Sequence, residues 1–177
     1  MNIVVLSGAG TSKESGIETF RDSKDGLWNN HDIMEVASIS GWRNDRELIL
    51  NFYNDRRKQL ETVEPNEAHL FLAELEKYHT VNIITQNVDD LHERAGSANV
   101  THLHGSLVES RSSLDDRLVY NIGYDDIKIG DKCEKGSQLR PNIVWFGEDV
   151  PSIYKAGKMV EECDLLIVIG TSLSVSP

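Results

Sequence analysis

Between Thr85 and Ser106 the chain collects amides, a carboxylate and imidazoles whose spacing could do chemistry. Gln86-Asn87-Val88-Asp89 sets two amide side chains beside an aspartate, the donor and acceptor set that a planar carboxamide requires. His104 stands before the small residues Gly105 and Ser106, which favours an accessible imidazole. Such a group, ordinarily titrating near neutrality, can act as general base on a sugar hydroxyl. His102, two residues earlier, shares the same strand face but sits deeper and reads as structural. Each feature has a plain reading as well: a histidine is more often a hydrogen-bonded core residue, and an amide pair often caps a helix.

A second cluster lies at the start of the chain. Gly8-Ala9-Gly10 follows the apolar run Ile3-Val4-Val5-Leu6, as in the opening of a dinucleotide-binding fold. Glycines there can serve a tight turn or let backbone N–H groups approach a pyrophosphate. Lys13 occupies the place of the third fingerprint glycine, which argues against hydride transfer. Arg21, beside this loop, has a fixed charge suited to a diphosphate. A further strand-end turn, Gly170-Thr171-Ser172, adds hydroxyls and backbone amides. Together these clusters imply a ligand carrying phosphates, sugars and an amide.

The elements that must position these groups follow from pattern. Residues 3–6, 80–85, 100–103 and 165–169 read as strands, and Ile143-Val144-Trp145-Phe146 as another. Helices are expected over Asp45 to Val63, over a segment capped by Asn66 and carrying Leu70, Leu72, Ala73 and Leu75, over Val88 to Ala95, and over Ser152 to Glu162. The alternation predicts an α/β fold: a Rossmann-like, largely parallel sheet with helices on both faces, the polar clusters at its strand ends. Residues 107–141 interrupt the rhythm, with weak strands at best near Leu118–Tyr120, and read as part of a smaller module made of insertions. The division expected is 1–25, 64–106 and 142–177 for the larger domain, 26–63 and 107–141 for the smaller.

Composition narrows the class of partner. The 177 residues carry 18 Lys and Arg against 29 Asp and Glu, a net charge of −11, with no basic patch of the kind nucleic acid demands. No apolar run approaches the ~20 residues of a membrane span, and residues 1–7 lack a basic leader region. The expectation is a cytoplasmic protein that binds neither nucleic acid nor membrane. Cys133 and Cys163 are too few for a disulfide framework and read as reduced thiols.

These motifs, in this order, resemble the sirtuins, NAD-dependent protein lysine deacylases. The resemblance rests on Gly8-Ala9-Gly10 through Ser15-Gly16-Ile17 to Thr19-Phe20-Arg21, and on Thr85-Gln86-Asn87-Val88-Asp89-Asp90 through Gly96. It continues in His102-Leu103-His104-Gly105, in Arg140-Pro141 through Trp145-Phe146-Gly147-Glu148, and in Gly170-Thr171-Ser172-Leu173. It implies a cleft between two domains that takes NAD and an acyl-lysine peptide. Residues 8–28 would form the cofactor loop, including Gly8, Ala9, Gly10, Ser12, Glu14, Thr19, Phe20, Arg21 and Trp28. Gln86, Asn87, Val88 and Asp89 would enclose the nicotinamide and its ribose, with Asn87 and Asp89 taking part in catalysis. Gly170, Thr171 and Ser172 would complete the cofactor site, and His104 would be the general base.

On the substrate side, Val144, Phe146, Gly147 and Glu148 would pair with the peptide as an added strand. Tyr53 and Arg56, three apart on one helical face, match the Tyr-x-x-Arg of the branch that removes succinyl and malonyl groups, where it grips the acyl carboxylate. Read alone, the pair would more simply be an exposed helix face. The sequence departs from the family in two places. Most sirtuins hold zinc with four cysteines, whereas only Cys133 lies in that region and Ser112-Ser113 stand where a first cysteine is expected, so no metal is predicted. The family also continues past the Gly-Thr-Ser turn, whereas this sequence ends at Pro177, which implies an uncovered sheet edge and fewer contacts to the adenosine half of NAD. Two other readings stay open: an NAD hydrolase or ADP-ribosyltransferase on the same scaffold, and a non-catalytic module that binds NAD or ADP-ribose.

Overall fold

A computed structural model describes residues 1–17 and 32–173. Its main sheet has four parallel strands: β1 (Asn2–Ser7), β2 (Thr80–Thr85), β3 (Val100–His102) and β7 (Leu165–Ile169), in the order β3-β2-β1-β7. Apolar, β-branched residues run through β1 and β2 because both faces are covered. Ile3, Val5, Val81 and Ile83 pack with Leu72 of helix α4 (Glu67–Leu75) on one side. Val4, Ile84 and Leu103 pack with Ala156 of α6 (Ile153–Glu161) on the other. Asn66 caps α4 as its sequence suggests, its side chain accepting from the Ala68 N–H at 3.0 Å. Leu70 of α4 points outward instead of joining the core.

The smaller module is better ordered than its sequence suggests. The strands β4 (Gly105–Ser112), β5 (Val119–Asn121) and β6 (Leu139–Ile143) form an antiparallel sheet in the order β5-β4-β6. One apolar cluster binds it to the helices α1 (Ile33–Val36), α2 (Ile39–Asn44) and α3 (Arg46–Thr62), through Val36, Trp42, Phe52, Leu107, Ile127 and Trp145 among others. Asp45 caps α3, accepting from Leu48 N–H at 2.9 Å.

Two elements are shorter than expected, for local reasons. The helix read over 88–95 is reduced to α5 (Leu91–Arg94), because the Val88 carbonyl is drawn away to the Leu107 N–H and Asp89 Oδ1 accepts from Leu91 N–H. The strand read over 143–146 ends at Ile143. Beyond it the Trp145 N–H donates to the Glu148 carboxylate, not to a strand neighbour, and Gly147 turns the chain at φ 87°. Among the described residues no helix is long and apolar enough to cross a membrane.

Candidate active site

The carboxyl ends of β1 and β2 and the start of β4 open on a cavity of about 300 Å³. Parallel strands end where their terminal backbone groups and loops are free to face a ligand. The segment after β1 forms a 3₁₀ turn, Ala9–Ser15, closed by Gly16 at φ 98°. From it Ala9 and Ser12 reach the cavity. Gln86, Asn87, Val88 and Asp89 reach it from the loop after β2, and His104 from between β3 and β4.

At the back of the cavity these groups form one hydrogen-bonded cluster. Ser12 Oγ donates to Asp89 Oδ2 at 2.8 Å and accepts from the Asn87 amide at 3.0 Å. His69 Nδ1 accepts from Asn66 N–H at 3.2 Å, so its protonated Nε2 faces Ser12 Oγ at 3.5 Å. Behind them the His92 ring lies edge-on to His69, centroids 4.8 Å apart, and meets Ser7 Oγ at 2.9 Å. Both histidines are buried, and burial holds each at about 4, well below the ordinary imidazole value. Asp89 is pushed upward by burial, against the hydrogen bond from Ser12.

The two histidines of the His-Leu-His run differ. His104 donates from Nδ1 to the Gln86 carbonyl at 2.9 Å, and burial lowers its pKa. Its Nε2 is left as the basic nitrogen of a cavity-lining residue. His102 spans the Asn87 carbonyl at 2.9 Å and the Glu93 carboxylate at 2.7 Å. Burial alone would lower it, but the hydrogen bond and charge of Glu93 raise it instead.

The opposite wall belongs to α3 and to the segment after β6. Tyr53 and Arg56 both line the cavity, together with Val144, Phe146, Gly147 and Glu148. Tyr53 is therefore not on an exposed helix face: only 3% of it is accessible. Its hydroxyl accepts from the indole N–H of Trp145 at 3.0 Å. Both oxygens of Glu148 are engaged: Arg140 donates to them at 2.8 and 2.9 Å, Arg111 at 3.0 Å and the Trp145 N–H at 2.8 Å. Glu148 thus closes a turn, with no oxygen left uncommitted for a peptide.

Other sequence candidates sit around this cavity rather than in it. Gly8 N–H donates to the Ile169 carbonyl at 3.0 Å and Gly10 N–H to Gly170 at 2.8 Å. A Cβ on Gly10 would stand 2.9 Å from the Gly170 carbonyl oxygen, so this glycine is required by close chain approach. Thr171 Oγ1 donates to the Gln86 side-chain oxygen at 2.7 Å, tying the last turn to the amide cluster. Glu14 and Ser172 are exposed and do not line the cavity. Thr19, Phe20, Arg21 and Trp28 lie outside the described residues.

Sequence reasoning missed three cavity residues of interest, Gln59, Leu60 and Trp145. Gln59 follows Arg56 by three on α3, a spacing that could have flagged it. Trp145 stood within the motif that runs from Arg140 to Glu148, but no feature of the sequence assigned its side chain a role of its own.

The model of the Sir2 family matches residues 8–177. This chain belongs to the Sir2 family. It is 60% identical over 176 residues to the NAD-dependent protein deacylase of Helicobacter pylori strain 26695, covering 99% of this chain and 76% of that one. It is 53% identical over 184 residues to the NAD-dependent protein deacylase of Bacteroides thetaiotaomicron, covering 99% and 77%. Among solved structures, a Sir2 homologue in complex with NAD matches this Sir2 chain with TM-score 0.89 at 46% identity, over 99% of this chain and 70% of that one. An ADP-ribose complex of a Sir2 homologue matches with TM-score 0.89 at 45% identity, over 99% and 72%.

Proposed function

We propose that this Sir2 chain removes acyl groups from protein lysines with NAD as co-substrate, and that it accepts acyl groups ending in a carboxylate, succinyl and malonyl, as well as acetyl. The observation that carries the reading is the convergence on one cavity of His104, the Gln86–Asp89 cluster and the pair Tyr53 and Arg56. The first two are what a glycosyl-transfer reaction on NAD needs, and the third is what an acidic acyl tail needs. The names of the relatives, NAD-dependent protein deacylases, support the same chemistry.

When bound, NAD would supply a ribosyl carbon to which the acyl oxygen transfers, with nicotinamide leaving. The residues fit that role. Asn87 and Asp89 are held by Ser12 in fixed orientations, so their remaining donor and acceptor sites are aimed before any ligand arrives. Gln86 is held by Thr171 in the same way. His104, kept neutral by burial and with its Nδ1 proton committed to Gln86, accepts a proton at Nε2 from a ribose hydroxyl. On the other wall the phenol of Tyr53 and the guanidinium of Arg56 bind the acyl carboxylate jointly. Val144 and Phe146 offer the peptide their carbonyls, since their N–H groups already donate to the His104 and Ala37 carbonyls, each at 2.9 Å. Glu148 serves by holding that segment rather than by touching substrate.

We place the division of the chain between the parallel sheet and the antiparallel module, with the cavity between them. We also propose that the smaller module holds together without zinc. Ser112 and Ser137 hydroxyls lie 2.7 Å apart, and the Cys133 sulfur stands 3.5 and 3.0 Å from them, a closed hydrogen-bonded group with one thiol. One thiolate does not supply the ligand set of a structural zinc site. Metal analysis of the purified protein is expected to find zinc far below one equivalent; stoichiometric zinc would contradict this. The activity itself is tested by following loss of acetyl and succinyl groups from a lysine peptide with and without NAD. Deacylation that proceeds equally without NAD would overturn the reading.

A further inference from the structure

Tyr53 is an unusual recognition group because its oxygen is already taken. The phenol is buried, and the indole N–H of Trp145, ninety-two residues further on, donates to it at 3.0 Å. A phenol has a single proton to give. With its oxygen occupied as acceptor, its remaining directed capacity is as a donor, away from Trp145. Trp145 in turn is held from several sides. The Arg140 guanidinium sits 3.4 Å above its ring centroid, the Trp42 ring lies 5.7 Å away, and its backbone N–H donates to Glu148. Arg140 grips both oxygens of Glu148, so the indole rests on a salt-bridged platform.

We infer that Trp145 is a positioning residue for acyl selectivity: its indole N–H orients the Tyr53 hydroxyl so that the phenol proton points at a carboxylate on the acyl chain. This rests on the acidic-acyl reading given above and adds a residue that acts through Tyr53. Burial pushes the Tyr53 phenol up to about 12, against the opposing pull of the Arg56 cation, so the hydroxyl keeps the proton it must donate. Acetyl-lysine has no carboxylate to meet that proton and gains nothing from its orientation. The arrangement also links two parts of the site. The same segment that offers backbone to the peptide, residues 144–148, carries the indole that sets the acyl end.

The test is the ratio of kcat/KM for succinyl-lysine over acetyl-lysine peptide, in which any loss of packing common to both substrates cancels. Trp145→Phe keeps a ring and removes the N–H; it is expected to lower the ratio about five- to tenfold, the worth of one directed hydrogen bond. Tyr53→Phe should lower it at least as far, and the double variant should fall no further than Tyr53→Phe alone. Trp145→His, which restores a ring N–H, should recover part of the ratio, and it serves as the second probe if the Phe variant folds poorly. A ratio unchanged in Trp145→Phe but lowered in Tyr53→Phe would overturn the inference alone. A ratio unchanged in both Tyr53→Phe and Arg56→Met would remove the acidic-acyl reading and the inference with it.

Discussion

His102 and His104, two residues apart, each donate from Nδ1 to a backbone carbonyl, of Asn87 and of Gln86, but only His102 meets a carboxylate at its other nitrogen. A carbonyl and a carboxylate both accept, so the protonated form of His102 is favoured and its pKa is raised despite burial. Among the described residues His104 has no such partner and stays neutral. Two positions on one strand exit are thereby shifted in opposite directions, and the one shifted toward the neutral form lines the cavity.

His104→Ala is therefore expected to abolish deacylation with little loss of NAD binding, measured by calorimetry alongside turnover. The pH profile carries a second check. Because burial lowers the His104 pKa, its base form persists below the ordinary value of about 6.5. The acidic limb of kcat/KM should then fall below about pH 6.5. Turnover surviving in the variant, or a limb well above neutrality, would contradict the assignment.

Arg56→Met should weaken desuccinylation selectively, since the lost cation meets only an acyl chain that carries a charge. A loss of tenfold or more is expected for succinyl-lysine, the scale of a charge-assisted contact. Acetyl-lysine should lose far less. Equal losses on both peptides would contradict the carboxylate grip.

Glu148→Gln tests the platform under Trp145. The Arg140 side chain is only 5% exposed, and losing its carboxylate leaves a buried cation without its counter-charge. Breaking such a pair costs about 3 kcal/mol. Urea unfolding should show a fall of that order together with a raised KM for peptide. An unchanged midpoint would show that the cluster contributes nothing to holding the 144–148 segment.

The parallel sheet was legible because Ile3–Leu6, Thr80–Thr85 and Leu165–Ile169 are short runs of β-branched and apolar residues with turn residues after them. The antiparallel sheet was not, because β4 buries Ser106, Ser110 and Ser112, so its inward face carries no apolar alternation. In the site, Gln86 to Asp89 and His104 announced themselves by residue type. The bond from Trp145 to Tyr53 could not, since nothing local signals a contact ninety-two residues away. Val144 to Glu148 was read as a strand that pairs with the peptide backbone; that Arg111 and Arg140 bind the Glu148 carboxylate is visible only in three dimensions.

Acid should destabilise the fold through His69 and His92. Both titrate near 4 when folded and near 6.5 when unfolded, so the unfolded chain binds more protons between those values. Their contribution is present in full above about pH 6.5 and is lost as pH falls toward 4. Each is worth on the order of 3 kcal/mol at full protonation. Urea unfolding at pH 7.5 and 5 should show the drop, and His92→Gln should flatten part of it. Equal stability at the two values would contradict the buried, neutral pair.

The central claim, NAD chemistry driven by an acyl-lysine, is tested most directly by nicotinamide release measured with succinyl-lysine peptide, acetyl-lysine peptide and no peptide. Release is expected with both peptides, faster with succinyl-lysine, and close to background with none. Release at the same rate without peptide would contradict the account and make the protein an NAD hydrolase.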